Sequence, residues 1–210
     1  MGYSAPTAGS YDPLGDRDTT MEPKMRVVVK LLKGLLYLAV GLILAVAVLL
    51  FGMRFADGPY AIVPGGAFTS GERYAGPEPD WSFVKDRQEI EFQLLDPARS
   101  RTTWIVEHEG RIYIPCGYMN STWGRWWKRW PIEAERDGRA VLRVDGMLYD
   151  RQLIRIRHGD ALPAVLSEIG RKYLRGAATG SAEEQAQALA MGLERIADGS
   201  LWIFELAPRS

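Results

Sequence analysis

The residues best suited to chemistry in this chain cluster in one stretch, Asn120-Ser121-Thr122-Trp123-Gly124-Arg125-Trp126-Trp127-Lys128-Arg129-Trp130-Pro131, which holds four of the seven tryptophans. Trp123, Trp126, Trp127 and Trp130 recur at i, i+3, i+4 and i+7, so on a helix they form one aromatic stripe with Arg125, Lys128 and Arg129 off it. Asn120, Ser121 or Thr122 can cap the start of that helix, and Pro131 limits its end. Apolar stripes at helical spacing mostly pack on a core. Packed that way, the stripe would fix Lys128 and Arg129 in place. Together with Arg139, Arg143, Arg151, Arg155 and Arg157 they could line a basic groove for a phosphate. Residues 125–157 carry nine Lys and Arg against five Asp and Glu, a modest excess, and a solvated face interleaved with acids explains most of those arginines better.

Other chemistries are poorly served. His108 falls in a predicted hairpin turn and His158 at a strand end, so no histidine pair stands at metal-ligand spacing and no zinc or haem site is expected. Cys116 is the sole cysteine and ends the apolar run Ile112-Tyr113-Ile114-Pro115-Cys116, which reads as a buried structural thiol rather than a nucleophile. Neither a Gly-x-Ser-x-Gly elbow nor a phosphate-binding loop occurs. Asp80, Glu107 and Glu109 are acids without an evident partner and read as turn and surface residues. With 26 basic and 26 acidic residues the chain is balanced, which argues against a general nucleic-acid binder.

The elements that would position these residues are legible from pattern. Glu89 to Leu95 alternates as a strand closed by Asp96-Pro97. Arg101 to Glu107 and Arg111 to Cys116 flank the turn His108-Glu109-Gly110, and Ala140 to Val144 and Met147 onward flank Asp145-Gly146, whose two turn positions need positive φ. The last of these strands runs through Ile154 and Ile156 with Arg151, Arg155 and Arg157 on the other parity, which predicts one apolar and one basic face. Ala161 to Leu174 is helical in period, Ser181 to Glu184 forms a capping box before a second helix with Leu189, Leu193 and Ile196 on one face, and Gly199 stops it. Leu201 to Leu206 then returns as a strand. Strands, then helices, then a strand make an α+β domain on an antiparallel sheet or barrel.

Ahead of this domain, Leu35 to Met53 is nineteen residues without a charge, about 28 Å as a helix and enough to cross a bilayer core. Lys24, Arg26, Lys30 and Lys33 precede it, and only Arg54 and then Asp57 follow, so the N-terminus is expected in the cytoplasm and the domain on the periplasmic or extracellular side of the cell membrane. The run is longer than the apolar part of a cleaved signal, so an uncleaved single-pass anchor held in lipid is expected. Residues 1–23 read as a disordered cytoplasmic tail, 24–56 as the anchor, 57–80 as a Pro- and Gly-rich linker, and 81–207 as the domain.

The segments Arg101-Thr102-Thr103-Trp104, Gly110-Arg111-Ile112-Tyr113-Ile114, the Trp-Lys-Arg-Trp stretch, Asp137 to Val144 and Gly146-Met147-Leu148-Tyr149 resemble the split β-barrel superfamily of pyridoxamine 5′-phosphate oxidase-like and deazaflavin-dependent nitroreductase-like proteins. The resemblance spans roughly residues 81 to 207. It implies a six-stranded split antiparallel barrel with C-terminal helices, commonly dimeric, that holds FMN or a deazaflavin in a groove at the barrel edge and transfers a hydride. On that resemblance Arg101, Thr102 and Thr103 would line the first cofactor-facing strand, and Tyr118 to Thr122, including Asn120 and Ser121, the loop after the second. Lys128 and Arg129 would contact the phosphate. Two functions follow: a membrane-anchored oxidoreductase-like domain, or a cofactor-free binding or assembly subunit of a membrane complex whose Trp and Arg residues meet a partner.

Overall fold

A computed structural model describes residues 23–121, 129–174 and 180–209. The chain divides into two compact units, 1–48 and 49–210. The first helix, α1 (Pro23–Gly52), has no buried residue and is long and apolar enough to cross a membrane. A 3₁₀ turn, Met53–Phe55, ends it.

The second unit is α+β. Its strands are β1 (Glu72–Arg73), β2 (Glu89–Leu95), β3 (Ala98–Trp104), β4 (Val106–His108), β5 (Arg111–Gly117), β6 (Arg139–Val144), β7 (Met147–Ile156) and β8 (Leu201–Pro208). Its helices are α2 (Trp130–Arg136), α3 (Ala161–Tyr173) and α4 (Ala182–Ala197). The strands form one sheet in the order β3-β2-β6-β7-β8-β5-β4, antiparallel throughout, with β1 added in parallel to β7. At Asp145-Gly146 turn chemistry fixes the register as the sequence predicts, with φ of 49° and 80° between Val144 and Met147. The other hairpin turn is shorter than its sequence suggests: His108 pairs with Arg111, and only Glu109 and Gly110, at φ 51° and 74°, make the turn.

The predicted strand from Arg101 to Glu107 is two strands. β3 pairs with β2 at one end of the ladder and β4 with β5 at the other, and Ile105 alone separates them in the chain. A sheet whose two ends are one residue apart must coil until those ends meet. The hydrogen-bonded path still does not close, so the structure establishes an α+β domain on an open, coiled antiparallel sheet and not a closed barrel.

The coil encloses one core, with Trp81, Phe92, Leu94, Ile114, Leu142 and Phe204 among its members, and a second lies under α3 and α4, with Val106, Tyr113, Leu162, Val165 and Ile203. Neighbours Tyr113 and Ile114, like Ile203 and Phe204, go to different cores, which is why β5 and β8 read as continuous apolar runs. The Ser181 and Glu184 capping box at the start of α4 forms as predicted.

Three expectations change. The stretch 57–80 is not a free linker: Gly65 pairs with Ser100, the Ser100 hydroxyl donates to Gly66 O at 2.6 Å, β1 joins the sheet, and Glu78 binds Arg151. The strand β7 does not divide into an apolar and a basic face, because Arg151 points inward, 2% exposed, between Glu78 and the Trp81 ring, while Ile154 is exposed. Pro131 sits in the first turn of α2, which continues past it to Arg136, and its missing N–H removes no bond there.

Candidate functional site

Where β3 and β5 fail to close, the domain has a groove of about 1100 Å³. Thr102, Thr103 and Trp104 of β3 form one side, Pro115 to Tyr118 the other, and α3 and α4 contribute a wall that includes Ile169, Gly170, Leu189 and Gly192. Small residues shape that wall: a Cβ on Gly192 would stand 3.0 Å from the Leu166 side chain. Ala61 and Ile62 also line it.

The β3 edge supplies polarity by register. Ser100 exchanges both backbone bonds with Gly65 on the side away from β2, and with a period of two Thr102 and Trp104 turn their backbone groups the same way. The edge is therefore covered at Ser100 by Gly65, and among the described residues no backbone partner meets it at Thr102, which lines the groove. Ile105 has the opposite parity, and its backbone groups are met by side chains of α3 that also bond the residues leading into β2. The Ile105 N–H donates to Tyr173 Oη at 2.9 Å, and Ile105 O accepts from Lys172 Nζ at 2.6 Å and from the Tyr173 hydroxyl at 2.7 Å. Lys172 Nζ also donates to Val84 O and Arg87 O, and burial pushes the Tyr173 phenol up to about 12. Tyr173 stacks on Trp104 with centroids 4.3 Å apart and planes within 4°. The rest of the Trp104 ring is half exposed at the groove.

Of the residues named from sequence, Thr102, Thr103 and Tyr118 meet in this groove. Arg101 does not line it. Its guanidinium pairs with Glu133 at 3.3 Å and donates to Arg99 O, and burial lowers its pKa to about 10. Asn120 donates to Asp198 O at 2.8 Å, Ser121 donates to Tyr118 O at 2.9 Å, and both are exposed. Arg129 is exposed just before α2. Lys128, with Thr122, Trp123, Arg125, Trp126 and Trp127, lies outside the described residues, so of the aromatic stripe only Trp130 is seen, buried against Phe92 and Phe204. Cys116 is buried as expected.

The further arginines do not assemble a basic groove. Arg139 pairs with Asp137, Arg143 with Asp57 and Glu91, Arg151 with Glu78, and Arg155 and Arg157 with Glu135. Each positive charge is met by a carboxylate of the same chain, and Arg155 also lies 3.5 Å over the Trp202 ring. Glu107 is not a surface residue: it is buried, accepts from Gly110 N at 2.7 Å and faces Lys85 at 3.4 Å. Among the described residues no cluster of three metal-ligating side chains occurs.

Sequence reasoning missed Trp104 and the helical wall as groove elements. The flanking signals, Trp104 at a strand end and Gly170, Ala188 and Gly192 on helices, acquire meaning only once α3 and α4 lie over the seam.

No protein-family model matches the chain, and no curated protein matches it. Among solved structures, the conserved hypothetical protein Rv2991 from Mycobacterium tuberculosis is similar at a TM-score of 0.44 and 11% identity, over 69% of this chain and 86% of that one.

Proposed function

We propose that this protein is a single-pass membrane-anchored split-barrel protein, oriented with its domain outside the cytoplasm, whose groove binds a planar flavin or deazaflavin for oxidoreductase chemistry. The observation that carries the reading is the seam, where a strand edge at Thr102, without a backbone partner among the described residues, lies between apolar walls and beside a half-exposed tryptophan. The groove has room for a cofactor, and mostly apolar walls with a few convergent polar groups are the usual make-up of a ligand site. The coiling of the sheet until its ends meet at Ile105 supports the split-barrel part of the reading.

The residues fit such a group as follows. Thr102 and Thr103 would hydrogen-bond the edge of the heterocycle, Trp104 would cover one face, and Tyr118 would close the far side. Lys128 and Arg129 would take the phosphate, and Asn120 and Ser121 would shape the loop that leads to them. Arg101, committed to Glu133, would stiffen β3 rather than touch the ligand. When bound, the cofactor supplies hydride transfer, and the protein binds, orients and excludes water.

The test is an absorption spectrum of the full-length protein in mild detergent, with mass spectrometry of whatever denaturation releases. A flavin or deazaflavin band with a matching released mass is expected, and Lys128→Ala with Arg129→Ala should release it. Stoichiometric cofactor in that double variant overturns the phosphate assignment. A colourless protein that stays colourless after incubation with FMN and a deazaflavin overturns the cofactor reading. The half-exposed rim of Trp104, Tyr118, Leu174 and Met191 would then favour a cofactor-free subunit that meets a membrane partner or a second copy through this face.

A further inference from the structure

We propose that the loop from Met53 to Val63 is a second, interfacial membrane contact that lays Phe55, Tyr60 and Ile62 into the headgroup region of the phospholipid bilayer. The proposal rests on α1 spanning that bilayer and does not depend on any cofactor. Phe55 and Tyr60 are each 76% exposed and Ile62 is 85% exposed, whereas the next most exposed large apolar residue described outside α1, Tyr118, stands at 69%. Single exposed apolar side chains are ordinary. Three of them within eight residues, directly after a run long and apolar enough to span a membrane, are a local concentration that single exposed side chains do not explain.

The loop is built rather than loose. Gly66 N–H donates to Ala56 O at 3.0 Å, Tyr60 and Val63 exchange bonds of 3.0 and 2.9 Å, and Gly65 pairs with Ser100 on β3. A Cβ on Gly65 would stand 1.7 Å from Gly58 O, so only glycine permits the two arms to lie this close. The apolar side chains are thus presented by a fixed backbone.

Charge is sorted in the direction a bilayer surface requires. The single acid of the loop, Asp57, is occupied by the domain: it accepts from the Ser70 hydroxyl, from Thr69 N at 2.7 Å and from Arg143 at 3.0 Å. Arg54 remains exposed beside Phe55, and an arginine with aromatic neighbours is a common interfacial composition, its stem in the apolar layer and its head at the phosphates. Reach is limited as well. Because the chain returns to Ala56 at Gly66, no residue of the loop is more than five residues from that base, at most about 18 Å of extended chain. Ala61 and Ile62 also line the groove, so one of its walls would lie at the membrane surface.

Site-directed spin labels decide the matter. In the full-length chain carrying Cys116→Ser and reconstituted in phosphatidylcholine nanodiscs, Ile62→Cys, Glu109→Cys on the β4–β5 turn and Leu42→Cys in α1 are each labelled. Relaxation by oxygen is then compared with relaxation by a water-soluble nickel chelate. The oxygen-to-nickel ratio at position 62 is expected to exceed that at 109 several-fold and to stay below that at 42, as a headgroup depth requires. Phe55→Cys, which does not line the groove, should repeat the result. Aqueous profiles at 62 and 55 with a lipid profile at 42 overturn this proposal alone. An aqueous profile at 42 overturns it together with the membrane-spanning reading of α1.

Discussion

Lys172 and Tyr173 are adjacent in sequence, yet both side chains reach the same backbone residue, Ile105. At that position the chain leaves one strand partner and takes another, so neither ladder can satisfy its N–H and C=O. A buried backbone group without a partner costs roughly 1 to 3 kcal/mol, which is the penalty these two side chains remove. Lys172→Met should therefore destabilise the domain by about 1 to 3 kcal/mol, and Tyr173→Phe by a similar amount, read as shifts of the denaturant midpoint with an unchanged slope. The phenol also predicts a pH dependence. Its folded pKa, about 12, lies above the ordinary value of 10.0, so its contribution is complete below pH 10 and is lost as pH rises through 12. Alkaline unfolding should show that loss in the native chain and lack it in Tyr173→Phe. An identical alkaline limb in both would remove Tyr173 from this role.

Among elements, the segment after α1 behaves least as its composition suggests. Prolines and glycines at this density read as a linker, but here glycine is used for close approach: Gly58, Gly65 and Gly66 let two arms of chain lie against each other and against β3. Replacing one of them tests whether the strap is part of the fold. Gly65→Val should detach the strap while leaving the two cores intact, giving new protease cleavage between residues 57 and 70 at little cost in the main unfolding transition. If protection of that segment is unchanged, the strap does not depend on the close approach. The same element carries charge inward, since Arg143 bridges Asp57 of the strap and Glu91 of β2 and covers the Phe68 ring at 4.1 Å.

For the molecule as a whole, balanced formal charge conceals extensive pairing. The Ser70 hydroxyl, the Thr69 and Ser70 N–H groups and Arg143 hold Asp57 well below the ordinary carboxylate range, and Arg139 lowers Asp137 to about 2. Burial raises Glu135 and Asp150, but the hydrogen bonds from Arg155 and Arg157 to the first, and the charges and hydrogen bonds of Arg73 and Arg209 on the second, outweigh it. Carboxylates with depressed folded pKa values contribute stability that is present above their unfolded values, near 4, and is lost as pH falls below them. The thermal midpoint should be flat from neutral pH to about pH 5 and drop steeply between pH 4 and pH 2, and Asp57→Asn with Asp137→Asn should flatten that drop. A double variant with the same acid limb as the parent would show that these pairs are too well solvated to matter.

The sequence by itself determined the local features: the apolar helix, the positive-φ turn at Asp145-Gly146, a glycine-containing turn near Gly110, the capping box at Ser181, and the α+β order of elements. Each depends on residues within a few positions of one another, where spacing and side-chain type suffice. Thr102, Thr103 and Tyr118 were named by resemblance, and the structure brings them to one groove; Arg101 was named with them but turns to Glu133. Only the tertiary structure decided the switch of partner at Ile105, the inward turn of Arg151, the binding of the strap and the groove itself. Those features depend on pairings between residues far apart in sequence, such as Lys172 with Ile105 or Arg151 with Glu78, and a one-dimensional pattern carries no record of which distant carboxylate or carbonyl a side chain will meet.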